Sequence, residues 1–257
     1  MDNGSAHGSG DVKTNHLERS PYRRARSSGA GRRIQPWRHG DLHHGLRIPW
    51  YFADEPKPGR TGSIDASYGI FYAGMWGSNV DFGGSGTGQE LATVEIDYYA
   101  GIAPTWKGIS FDIGGLYYTY PGAFDPGTEF DYFELKTGAS YTFGESFTVG
   151  VTNYWSPDFF GETGTGNAIE GSAEYVFGSQ LFNFFTPSVS ALLGYQDVDD
   201  LGDYTYWNAG LTLGFMDNWS ADIRYWDTDF SEAGCVGFNG GANNCDARVV
   251  GTISASF

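Results

Sequence analysis

No run of about 18 apolar residues occurs in the 257-residue chain, so no membrane-spanning helix can be built from it. Basic residues are scarce, 15 Lys+Arg against 31 Asp+Glu. The net charge of −16 argues against nucleic acid, whose phosphates need a basic partner. Histidine is absent after His44, and there are only 2 Cys and 3 Met. Without a His/Cys set no metal site or other cofactor is expected. What is abundant is glycine (39 residues) and aromatic side chains (8 Trp, 17 Tyr, 19 Phe). That mixture suits short strands and tight turns rather than helices. A hydrophobic fraction of 40% is too high for a disordered acidic chain.

The composition changes sharply near residue 62. Residues 1–62 hold 11 of the 15 Lys/Arg and all 5 His, scattered among Gly, Ser and Pro without periodicity. Residues 63–257 keep only Lys107, Lys136, Arg224 and Arg248 as bases. Two segments are therefore expected: 1–62, a non-barrel leader, disordered or out of frame, and 63–257, a folded unit. The leader has no apolar stretch of signal-peptide length as written.

From Ser63 the pattern has a period of two. Val94, Ile96, Tyr98 and Ala100 alternate with Glu95, Asp97, Tyr99 and Gly101. Phe133, Leu135, Thr137 and Ala139 alternate with Glu134, Lys136, Gly138 and Ser140, and the same spacing recurs to the end. Such alternation makes strands with one apolar and one polar face. It predicts eleven strands: 63–68, 71–81, 92–103, 109–120, 130–143, 147–155, 168–177, 188–196, 204–215, 219–228 and 247–257. The connections mostly alternate short and long, with 104–108 and 144–146 short, and 81–91, 121–129 and 229–246 long. Transmembrane barrels sort their turns and loops this way, whereas a soluble sandwich has no reason to. Tyr and Trp at strand ends (Tyr117, Tyr118, Tyr154, Trp155, Tyr225, Trp226) fit an interfacial girdle. The fold class expected is all-β, an antiparallel transmembrane β-barrel. The terminal Phe257, with apolar residues at alternate positions before it, fits the signal read by the outer-membrane assembly machinery.

Three stretches carry a family resemblance: Phe71-Tyr72-Ala73-Gly74-Met75-Trp76-Gly77-Ser78-Asn79-Val80-Asp81-Phe82, Glu95-Ile96-Asp97-Tyr98-Tyr99-Ala100-Gly101, and Leu116-Tyr117-Tyr118-Thr119-Tyr120-Pro121-Gly122. They resemble the TorF family of bacterial outer-membrane porins. The resemblance spans roughly 63–257. It implies a Gram-negative outer-membrane barrel with a cleavable signal and a first strand of the type Tyr-Val-Phe-Arg-Gly-Ile-Ser. Residues 1–62 depart from that pattern. Leu46–Ala53 nevertheless admits codons that give Tyr-Val-Phe-Arg-Gly-Ile-Ser when read one base later. Residues up to about 61 are thus expected to be an out-of-frame rendering of signal and first strand, the alternative being a genuine basic extension. A restored strand would raise eleven to twelve, an even number as bacterial barrels require.

Catalysis is not expected. A Ser-His or Asp-His pair cannot be assembled from residues 63–257, which contain no His. The acidic run Asp197–Asp203 lacks the full ligand spacing of a calcium loop and is expected to be a solvated loop. Cys235 and Cys245 fall in one long loop and are expected to form a local disulfide. Extending the alternation inward places Asp65, Glu95, Asp97, Asp112, Glu134, Glu170, Glu174 and Asp222 in the lumen, with Lys136, Arg224 and Arg248. Same-face pairs such as Glu134–Lys136 or Asp222–Arg224 can cancel locally, but the eight acids exceed the three bases. Acidic rings favour cations. The function expected is passive, weakly cation-selective diffusion of small hydrophilic solutes across a lipid outer membrane. The alternative is a structural or adhesive barrel with a plugged lumen and working loops.

Overall fold

The computed structural model describes the backbone of Leu42–Tyr51 and, with side chains, residues 59–80, 82, 91–124, 127, 129–231 and 245–257. The strands are β1 (Leu42–Tyr51), β2 (Thr61–Tyr68), β3 (Phe71–Asn79), β4 (Val94–Ile102), β5 (Thr105–Trp106), β6 (Ile109–Thr119) and β7 (Tyr132–Phe143). They continue with β8 (Phe147–Ser156), β9 (Gly166–Val176), β10 (Thr186–Val198), β11 (Gly202–Phe215), β12 (Trp219–Thr228) and β13 (Arg248–Ser256). Each pairs antiparallel with its sequence neighbour, except that the two-residue β5 pairs only with β6 and β4 pairs directly with β6. The pairing of β1 with β13 joins the first strand to the last, Ile48 lying opposite Ile253. The pairings therefore return to their start through twelve strands. Each of the twelve strands in that ring is paired on both sides, which is what hydrocarbon demands of a sheet.

Burial is inverted relative to a soluble protein. Ile64, Met75, Ile113, Leu135, Val151, Ile169, Leu193 and Ile223 are exposed on the outer face. Glu95, Asp97, Asp112, Glu134, Lys136, Asn208, Thr212 and Arg224 are buried on the inner one. In β4, Val94 is 39% and Tyr98 49% exposed, whereas Glu95 and Asp97 between them are 5% and 3%. This is the arrangement of a transmembrane barrel, apolar outside and polar within.

The eleven expected strands all form, with ends within two residues of the expected ones. Two boundaries differ. The sheet runs back to Leu42 rather than starting at Ser63, and β1 fills the place between β2 and β13 that eleven strands would have left as an edge. The signal for it was present as Leu42, Leu46, Ile48 and Trp50 at even positions, obscured by Pro49 and the polar leader. The expected loop at 196–203 is mostly ladder: Asp197 pairs with Asp203 and Val198 with Gly202, leaving a tight turn at 199–201. The expectations for residues 1–41 and 52–58 lie outside the described residues.

Short connections gather at one end of the barrel. Gly69 (φ +63) and Gly144 (φ +61) turn the chain there in the left-handed region that favours glycine. The opposite end is different. There Phe124 N–H donates to Leu91 C=O (2.8 Å), Gly161 N–H to Glu129 C=O (3.0 Å) and Asp199 N–H to Thr165 C=O (3.1 Å). These bonds stitch the β3–β4, β6–β7 and β8–β9 loops and the β10–β11 turn into a collar. Its core is aromatic, with Phe130 stacked on Phe160 (5.0 Å) and Tyr120 edge-on to both.

Candidate functional site: the inward wall

Of the eleven charged residues expected in the lumen, Glu95, Asp97, Asp112, Glu134, Lys136 and Arg224 are buried, and Asp65, Glu170, Glu174, Asp222 and Arg248 are half-buried, each beside a more exposed residue along its strand. What they do there depends on glycine. Asp65 on β2, Gly74 on β3 and Tyr99 on β4 stand opposite one another in one row across three strands. The Tyr99 ring lies flat over Gly74, where a Cβ would come within 2.5 Å of it. Its hydroxyl donates to Asp65 Oδ1, while Ser63 Oγ donates to Oδ2 (2.9 Å).

The row is repeated. Tyr206 on β11 crosses Gly194 on β10 and donates to Glu170 Oε1 on β9 at 3.0 Å. Arg224 on β12 crosses Gly210 on β11 and donates through Nη2 to Ser190 Oγ on β10 at 2.8 Å. Tyr72 lies across Gly101 and Gly114 and donates to Asp112 Oδ1 at 2.6 Å. In each case a missing Cβ lets a long side chain lie along the wall and reach an acceptor on another strand. With any larger residue at the crossing, that side chain would have to stand into the bore.

Two ion pairs form among the described residues. Lys136 Nζ meets Asp112 Oδ2, and Arg224 meets Asp222 through Nη2 at 3.2 Å. Glu134 Oε2 accepts from the Tyr118 hydroxyl at 2.6 Å, and Lys136, opposite Gly114, reaches Asp112 on the neighbouring strand. Arg224 is 2% exposed and also donates to Asn208 Oδ1 (2.7 Å). Tyr120 donates to Glu95 Oε1 (3.3 Å), and the Arg248 Nε donates to the Asp246 carbonyl (3.2 Å). Asp97 is buried on the same wall, and Glu174 is half-buried there.

The tyrosine donors were not among the expected site residues. Their parity was readable, since Tyr99 shares a face with Asp97, but their targets depend on register across three strands. The acidic run 197–203 holds no group of carboxylates arranged for a metal among the described residues. Asp199 Oδ2 accepts from the Thr165 N–H (2.9 Å) and so serves the collar. Cys245 is disulfide-bonded, and Cys235 lies outside the described residues. Phe257 is exposed, its ring 6.4 Å from that of Trp219.

A ring of twelve strands with this polarity has known counterparts. Residues 55–257 match the family described as "Bacterial protein of unknown function (Gcw_chp)". The chain belongs to the Gcw_chp family. No curated protein sequence matches it. Among solved structures it is similar to the KdgM porin, at 10% identity and a TM-score of 0.56, covering 84% of this chain and 99% of that one. A KdgM porin in complex with disordered oligogalacturonate gives 0.57 over the same shares, also at 10% identity. The NanC porin gives 0.50 at 11% identity, with 84% and 99% covered. At these identities the likeness establishes the fold: this Gcw_chp chain is a porin-type β-barrel.

Proposed function

We propose that this barrel is a bacterial outer-membrane pore of the TorF type, passing small hydrophilic solutes with a weak preference for cations. One observation carries the reading. The inner face bears eight carboxylates against three bases, and the long side chains among them lie along the wall across glycines. Pairing relocates charge but leaves the sum acidic, and a ring of acidic groups attracts cations. So many carboxylates would be expensive inside a dry plug, so a wetted bore is the cheaper state. The solute class then differs from that of the KdgM complex, whose oligogalacturonate is a polycarboxylate. An acidic wall repels such a ligand.

The collar favours a second reading, a structural or adhesive barrel that works through its loops. Aromatic packing among Phe82, Tyr120, Phe130 and Phe160 crowds one arc of the long-loop mouth. Single-channel recording in planar bilayers separates the two. Discrete conductance steps from heat-modifiable, folded barrel are expected, and a folded barrel that never conducts would leave the adhesive reading standing.

A further inference from the structure

The short-turn end of the barrel contains an anomaly in two adjacent hairpins. Between β9 and β10 the chain reads Gly178-Ser179-Gln180-Leu181-Phe182-Asn183-Phe184-Phe185, with no charge. Its tip is closed by Phe184 N–H to Leu181 C=O (3.1 Å) and Leu181 N–H to Phe185 C=O (2.9 Å). The two central residues, Phe182 (φ +53) and Asn183 (φ +52), are both left-handed. Asn and Gly suit such positions, but a bulky ring does not. Phe182 is nevertheless 82% exposed, so no described residue packs over the ring to offset the strain. The next hairpin, between β11 and β12, repeats the feature with Met216 (φ +48), 66% exposed.

These tips are continuous with the outer face of the barrel. Phe184 stacks on Phe215 at 6.1 Å and Phe185 meets it edge-on at 5.8 Å. Phe215 is paired with Trp219 across the β11–β12 turn, and Tyr175 and Phe177, 5.1 Å apart, extend the apolar surface along β9. The turn thus leans onto the apolar outer face. The β7–β8 tip at the same end is different, consisting of Gly144-Glu145-Ser146 with Glu145 exposed. Strained, exposed apolar residues mark a functional constraint when something outside the chain repays them.

We propose that the paired turns 178–185 and 216–218 are an interfacial anchor, seating Phe182 and Met216 at the boundary between headgroups and acyl chains of the periplasmic leaflet. Short turns face the periplasm in outer-membrane barrels, and aromatic side chains partition to that boundary. Asp217, the only charge in the two turns, sits at the tip, where headgroups and water are within reach. The anchor is confined to the β9–β12 arc, so it holds the barrel at a fixed depth and tilt on one side. It rests on the barrel spanning a bilayer, and does not depend on conduction.

The test uses the full chain folded into phospholipid vesicles, with Cys235→Ser and Cys245→Ser and a single nitroxide-labelled cysteine. Phe182→Cys and Met216→Cys carry the label in turn, with Phe177→Cys on the outer face and Glu145→Cys at the polar tip as references. The anchor predicts that labels at 182 and 216 collide more with oxygen than with a water-soluble nickel chelate, as at 177, with the reverse at 145. Labels at 182 and 216 that behave like 145 overturn it. So does spin–spin broadening at 182 that vanishes on dilution with unlabelled protein, because the occupant is then a second copy. A water-like signal at 177 too would fail the membrane reading itself. Phe182→Gly gives an independent sign. It relieves the left-handed strain, so the unfolding midpoint in vesicles rises if the ring stands in water and falls if the ring is seated in lipid.

Discussion

Replacing Gly194 by alanine tests whether glycine sets the width of the bore. An added Cβ would sit 2.2 Å from Tyr206 Cζ, whereas ordinary contact begins at 3.4 Å, so the ring must retreat by more than 1 Å. Gly194 lies between Tyr206 and Glu170 in the row, and the only open direction is into the lumen. The 3.0 Å bond from the Tyr206 hydroxyl to Glu170 does not survive that movement. Losing a hydrogen bond to a charged acceptor costs about 1.5–3 kcal/mol, and overpacking about 1–3 more. Against this, Gly→Ala restricts the unfolded chain and returns only about 0.4–1 kcal/mol. The expected net destabilisation is about 1.5–5.5 kcal/mol, read as a lower urea midpoint for barrel in vesicles. A smaller conductance step should accompany it. Gly171→Ala is the control, because its Cβ meets nothing nearer than 4.0 Å. Tyr206→Phe removes the bond without moving the ring, so it should lower the midpoint and leave conductance alone. In that background Gly194→Ala should lose less stability than in the wild type. If Gly194→Ala matched Gly171→Ala in both midpoint and conductance, the ring would not be held by the glycine and the reasoning would fail.

Arg224→Met should destabilise by about 3–5 kcal/mol in the same urea assay, since it strands a buried acid. Asp222→Asn in combination should recover part of that loss; equal midpoints for the single and double variants would refute the pairing. Thiol reagents should label nothing in freshly isolated membranes until reductant is added, and the Cys235→Ser/Cys245→Ser barrel should still migrate faster unheated than boiled. Peptide sequencing of barrel isolated from membranes should recover Tyr-Val-Phe-Arg-Gly-Ile-Ser ahead of β2, whereas a continuous tryptic peptide spanning 48–60 would mean that the first strand is translated as written.

Much of this barrel was legible because an inside-out sheet writes its geometry into alternate residues. Glu95 and Asp97 between Val94 and Tyr98 leave no ambiguity about period or face, and the glycine-rich connections mark the turns. Parity alone proposes a face for each charge. It does not propose a partner. Asp65 and Tyr99 are 34 positions apart, and only the register of three strands brings both opposite Gly74. The same holds for Lys136, which meets Asp112 across the ladder, and for Glu134, which accepts from Tyr118 on the neighbouring strand. The strand Leu42–Tyr51 was missed because Pro49 and the adjoining polar leader mask a weak alternation. The loop expected at 196–203 became ladder because cross-strand pairing carries β10 and β11 on to a three-residue turn.

The sign of the zero-current potential across a single barrel in a salt gradient tests the central claim most directly. With potassium chloride tenfold higher on one side, eight inward carboxylates against three bases predict a potential displaced toward that of potassium. Lys136→Met should shift it further in that direction, and Glu170→Gln with Glu174→Gln should bring it back toward zero. A potential displaced toward chloride, from barrel shown to be folded, would contradict the account.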